Sequence, residues 1–148
     1  MKKNHIAAAF FAACLTLAMS TSQAQVAVTG AWVRATVPSQ QATGAFMQLV
    51  SEKDTTLISA RSDIAGIVEV HEMKMENDVM RMRAVDGLKL PANQPVELKS
   101  GGYHLMMMDL KKQLKVGAEV QITLVFKNAK GDSETIHVHA PVALTQPK

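Results

Sequence analysis

The sequence predicts an all-β domain, an antiparallel sandwich or barrel of Greek-key type. Two observations carry that prediction. Eight or so short strand-like segments follow one another, and turn-forming clusters punctuate them at regular spacing. The 148 residues suit a single domain. No repeat, low-complexity segment or linker divides them.

Val26 to Thr36 alternates roughly between apolar and polar residues and carries Trp32. Ala45 to Ser51 follows Gly44, and Thr55 to Arg61 and Ile67 to Met73 come next. Glu76-Asn77-Asp78 is a turn-like cluster before Val79 to Val85. Pro91 to Pro95 reads as a loop and Val96 to Lys99 as a short strand. Ser100-Gly101-Gly102 is a turn that delivers His104 at the start of a strand ending at Leu110. Lys111 to Lys115 reads as one helical turn or a loop. Glu119 to Phe126 and Glu134 to Ala140 form a terminal hairpin around Asn128 to Asp132. Pro141 to Lys148 reads as a short frayed tail.

Residues 1–24 do not read as part of the domain. Lys2 and Lys3 precede an apolar run, Ile6 to Met19, that is too short to span a ~30 Å hydrocarbon core at ~1.5 Å per residue. Small residues, Ser22 and Ala24, stand three and one before a cut after Ala24. This is the pattern of a secretory signal peptide, and it leaves residues 25–148 as one exported domain. A lipidated Cys14 is the rival reading. Phe11 speaks against it, because an aliphatic residue is expected there. No later apolar run is long enough for stable membrane insertion.

Cleavage after Ala24 removes Cys14, the only cysteine. Disulfides, thiolate metal sites and thiol catalysis go with it. Cleavage also removes two of the 16 Lys and Arg and none of the 13 Asp and Glu, which lowers the net charge from +3 to +1. Without a basic run or interleaved aromatics, the chain is not read as a nucleic-acid binder. No nucleophile–base pair or paired-carboxylate motif points to an enzyme, and Glu72 and Asp109 read as solvent-facing.

Methionine is the outlier. Of ten, eight remain after Met1 and Met19 are removed, and seven of those lie between Met73 and Met108. Period two puts His71, Met73 and Met75 on one strand face, Met80 and Met82 on another, and His104, Met106 and Met108 on a third. Methionine is a common core filler, yet a β-strand core would ordinarily use Val, Ile or Leu. Imidazole beside neutral, polarizable thioether favours Cu(I) over harder ions. Zinc would ask for thiolate, carboxylate or more imidazole. Thioethers also escape oxidation to disulfides in an exported protein. Strand parity alone does not choose among Met73, Met75, Met80 and Met82.

The segments Val70-His71-Glu72-Met73, Met80-Arg81-Met82-Arg83 and Gly101-Gly102-Tyr103-His104-Leu105-Met106 resemble the periplasmic copper chaperone family called PCu(A)C. That family spaces a His, ten residues, a Met, 21 residues and a His-x-Met. Here ten residues separate His71 from Met82, 21 separate Met82 from His104, and Met106 completes the pattern. Ala31 to Ala35 and Gly44-Ala45-Phe46-Met47 are similar to the family as well.

The resemblance implies a monomeric, cupredoxin-like β-sandwich that binds Cu(I) through His71, Met82, His104 and Met106. It further implies copper delivery to the dinuclear copper centre of cytochrome c oxidase, through a copper-accepting oxidase subunit and alongside Sco-type thiol proteins. Met73, Met75, Met80 and Met108 match no fixed ligand. His137 and His139 depart from the plain β-formers expected there, and read as solvent-facing rather than as a second site. Pro141 to Lys148 does not read as the His/Met-rich tail some members carry. Both ligand histidines must be neutral, so copper affinity is expected to fall below roughly pH 6.5, the ordinary imidazole value. Blue-copper electron transfer is excluded because it needs a Cys beside its histidines. Copper storage at the same site and a metal-free interaction module are the remaining alternatives.

Overall fold

The computed structural model describes residues 25–148, so the expected signal peptide and Cys14 lie outside the described residues. Ten strands follow in order: β1 Val26–Arg34, β2 Ala42–Ser51, β3 Thr55–Arg61, β4 Ala65–Glu76, β5 Val79–Ala84, β6 Leu88–Leu90, β7 Pro95–Leu98, β8 Tyr103–Leu110, β9 Glu119–Asn128 and β10 Ser133–Ala143. The hydrogen-bonded order is β5-β4-β8-β2-β1-β10-β9-β3-β6, with β7 beside β2. All pairings are antiparallel except β1 with β10. The result is an all-β Greek-key sandwich, as the strand pattern predicts, and a cupredoxin-like one, as the resemblance implies. Among the described residues no helix is long and apolar enough to cross a membrane.

Period-two alternation builds the core. On β2, Ala45, Met47 and Leu49 point inward; on β8, Leu105 and Met107; on β9, Val120, Ile122, Leu124 and Phe126. Fully burying side chains such as Leu49, Ile122 and Phe126 contributes about 1.5–3 kcal/mol each.

Two segments differ from expectation, and Lys111 to Lys115 takes the loop form of its two expected ones. Leu88–Leu90 forms a short strand against β3, with Leu88 and Leu90 buried. The terminal strand runs on past Ala140: Val142 is buried and pairs in parallel with Val33. The frayed tail therefore begins only after Ala143, because the Val142 side chain fills the core. Lys111 to Lys115 is a loop without helix.

Candidate metal centre

Two turns set the registers that matter. Asn77 and Asp78 both adopt positive φ, 50° and 61°, between Glu76 and Val79. That is the two-residue hairpin turn whose twist matches its strands, and Asn and Asp tolerate the left-handed backbone better than most residues. It fixes His71 opposite Ala84, Met73 opposite Met82 and Met75 opposite Met80. The second turn uses Gly101 at φ 84°. Gly102, next in line, accepts the Met73 N–H at 3.1 Å through its carbonyl, which ties the turn to β4. His71 then stands opposite His104, and Glu69 opposite Met106.

All four predicted site residues share one face of the β5-β4-β8 sheet. His71 is the hub. His104 lies directly across on β8, with ring centroids 6.1 Å apart. Met106 is its diagonal neighbour on β8 and Met82 its diagonal neighbour on β5. Diagonal positions lie about 7–8 Å apart, within reach of a long side chain. Ala84, directly across on β5, adds only a methyl group. Burial is graded: His104 is 6% exposed, Met106 is half-buried and Met82 is 49% exposed. The cluster is closed on the β8 side and open on the β5 side.

The imidazole nitrogens are oriented by their partners. His104 Nδ1 lies 3.1 Å from the Gly102 carbonyl oxygen. A carbonyl only accepts, so Nδ1 carries the hydrogen, and the neutral ring keeps a bare Nε2. His71 does the reverse. Its Nε2 donates to a Glu69 carboxylate oxygen at 2.9 Å, while its Nδ1 is buried without a hydrogen-bond partner. A buried polar atom left unpaired is costly. The arrangement leaves His71 Nδ1 as a buried nitrogen facing the same side of the sheet as His104. Carboxylate–histidine pairs of this kind are a recurring second layer around metals. Among the described residues no three His, Cys, Asp or Glu side chains converge, so a metal held here would depend on thioethers as well.

Glu69 is a residue the sequence reading passed over. The signal was present, since Glu69 is two residues before His71 and shares its face. Glu72 was expected to face solvent, but it is largely covered on the opposite face, 3.5 Å from Arg83. Burial, and then the neighbouring Glu72 carboxylate, hold the Tyr103 phenol above its ordinary pKa. Asp109 is exposed, as expected. His137 and His139 are exposed too, and each Nδ1 is engaged by a neighbour, Thr123 at 3.1 Å and Glu119 at 2.9 Å.

The same sheet face continues past Met106 onto β2 and β1. Gly44 stands opposite Met106, and a Cβ there would come within 2.8 Å of the Phe46 ring. The missing side chain lets Phe46 lie over the backbone and pair with Trp32, centroids 4.7 Å apart, while Arg34 Cζ sits 5.3 Å from the Phe46 ring centre. The aromatic pair contributes about 0.5–1.5 kcal/mol beyond its buried area and stiffens the strand next to Met106.

A family model described as LpqE-like matches residues 26–142. Lxx21020 of Leifsonia xyli, which is named as a lipoprotein, is 30% identical over 118 residues, covering 79% of this chain and 69% of that protein. Cu(I)-DR1885 from Deinococcus radiodurans, a solution structure, superposes with a TM-score of 0.61 at 32% identity, over 84% of this chain and 82% of that one. The copper-bound PCuAC domain from PmoF2 gives a TM-score of 0.65 over 80% of this chain and 92% of that domain. At 24% identity, this second likeness speaks to the fold alone.

Proposed function

This chain belongs to the LpqE-like family, and from that membership we propose that it is an exported Cu(I) carrier whose ligands are His71, Met82, His104 and Met106. The observation that carries the reading is the pair of facing histidines, each with one nitrogen turned free and one of those buried without a partner. Flanking thioethers on the same face select a soft monovalent ion. The Cu(I)-loaded DR1885 structure, at 32% identity, supports the choice of ion. Copper is cargo here. The protein binds, orients and releases it without making or breaking a covalent bond in a substrate.

His104, buried and anchored through Gly102, is the fixed donor. His71 is held by Glu69 so that Nδ1 faces the ion. Met106 closes the buried side, and Met82, on an edge strand, is the ligand an acceptor displaces first. Successive ligand exchange moves the ion without releasing it to water. The proposed destination is the dinuclear copper centre of cytochrome c oxidase, in the periplasm, with Sco-type thiol proteins as co-workers. The half-exposed position of Met82 favours delivery over storage, because an open side permits rapid hand-off.

Anaerobic titration of residues 25–148 with Cu(I) against a chromophoric chelator tests the site. One tightly held equivalent is expected for the parent, with weaker binding of it in His71→Ala, Met82→Ala, His104→Ala and Met106→Ala. Unchanged binding in any variant removes that residue. Gene deletion tests the role: lost oxidase activity restored by added copper supports delivery, while copper sensitivity with normal oxidase supports storage.

A further inference from the structure

The β4–β5 hairpin carries more thioether than a four-ligand centre uses. Beyond the Met73–Met82 pair lies a second cross-strand pair, Met75–Met80, next to the turn. Ladder geometry brings these side chains close. The Val85 N–H donates to the Val70 carbonyl at 2.9 Å, so hydrogen-bonded pairs fall on the even residues of β4. The odd residues, Met73 and Met75, fall at non-hydrogen-bonded pairs, where Cα atoms are only about 4.5 Å apart and side chains are closest.

Core filling does not explain the outer pair. Met75 and Met80 are 58% and 45% exposed. The hairpin's charges sit on its other face, where Arg81 and Arg83 pair with Glu72 and Glu76. β5 ends the sheet, and sheet edges are ordinarily protected by charge on accessible positions. Arg81 and Arg83 supply that charge on one face of β5, whereas the four outer-face positions nearest the turn, Met73, Met75, Met80 and Met82, are all thioether.

We propose that Met75 and Met80 form a second, weaker Cu(I) site at the hairpin tip, through which the ion reaches and leaves the histidine centre. The proposal rests on the copper-carrier reading and extends it. Two neutral thioethers hold Cu(I) without losing a proton, and more weakly than a site with two imidazoles. The ion therefore moves inward along a gradient of affinity. Successive rungs are about 7 Å apart, two residues of strand, and the Met73–Met82 pair lies between the tip and His71. Each step forms one Cu–S or Cu–N bond as another breaks, with no electron transferred. A soft-metal acceptor docking at the tip reverses the path.

Stepwise anaerobic Cu(I) addition to residues 25–148, followed through the methionine methyl resonances, tests the site. The first equivalent is expected to shift the Met82 and Met106 methyls, and the second those of Met75 and Met80. The double variant Met75→Leu/Met80→Leu should keep the first equivalent at parent affinity and lose the second. Unshifted Met75 and Met80 at the second equivalent, or a double variant that still takes up that equivalent, overturns the hairpin site. A first equivalent that leaves Met82, Met106 and both histidines unmoved overturns the main centre instead, so the two failures are distinct.

Discussion

Strand β8 carries three consecutive methionines, Met106, Met107 and Met108, on two faces that differ in kind. Met107 points inward among Leu105, Leu124 and the rest of the apolar core and is fully buried. Met106 and Met108 point outward and are only half-buried, and Met106 lies next to the histidine pair. On the inner face, methionine supplies volume, which Leu could supply as well. On the outer face, at Met106, it supplies a sulfur lone pair, which no aliphatic side chain can. The β4–β5 hairpin extends the outer face and has no inner counterpart of its own, because β5 is exposed along its whole length. On the proposed copper reading, methionine enrichment in this chain is thus two phenomena, separated by strand parity.

Substitution on the two faces should break the comparison cleanly. Met107→Ala removes a fully buried side chain and should cost about 2–5 kcal/mol of unfolding free energy. Its tightly held Cu(I) equivalent should be unchanged, with chemical denaturation reading the first effect and copper titration the second. Met106→Leu should do the opposite. Volume is conserved, so stability should move by less than ~1.5 kcal/mol, while Cu(I) affinity falls. A Met107 variant that loses copper while folded, or a Met106→Leu variant that keeps full affinity, would mean that the two faces are not separate in function.

Strand parity was readable in the sequence, and this is why the fold class and the grouping of His71, Met82, His104 and Met106 on faces could be read before any coordinates. Thr55–Arg61 is legible as a strand to the residue because turn-forming segments flank it, although a bulge between Leu57 and Ser59 breaks its alternation. Leu88–Leu90 is not legible as a strand, because the single alternation Leu-Lys-Leu before a proline is too short to mark one. Val142 was missed because its value as core depends on β1 lying alongside, a contact 109 residues distant in sequence. Parity could say which residues share a strand face, but not that the faces of three strands merge around His71. Nor could it give the histidine tautomers, which depend on Gly102 and Glu69 in three dimensions.

Glu69 offers a smaller test on the outer face. Glu69→Ala should weaken Cu(I) binding toward the low end of the ~10–100-fold range typical of partners behind metal ligands, because the Glu69 side chain is 46% exposed and solvent screens it. Glu69→Gln should lose less, since its amide oxygen still accepts the His71 Nε2–H. Nitrogen NMR of the metal-free protein provides the discriminating readout. The parent and the Gln variant should show His71 protonated at Nε2, and the Ala variant a mixture of tautomers. Identical tautomer populations in all three would leave Glu69 without a positioning role.

The smallest effect is expected at Met108, and it sharpens the comparison most. Met108 shares the outer face with Met106 but stands opposite Ile67 and Ala42, four residues along β8 from His104. Four strand residues span about 13 Å, beyond the reach of a ligand to an ion between the histidines. Met108→Leu should therefore leave Cu(I) affinity unchanged and shift stability by less than ~1.5 kcal/mol. Titrating this variant beside Met106→Leu compares two outer methionines that differ only in distance from the histidine pair. If Met108→Leu weakened copper binding as Met106→Leu does, the outer face would act as a diffuse thioether surface, and the centre at His71 and His104 would lose its boundary on β8.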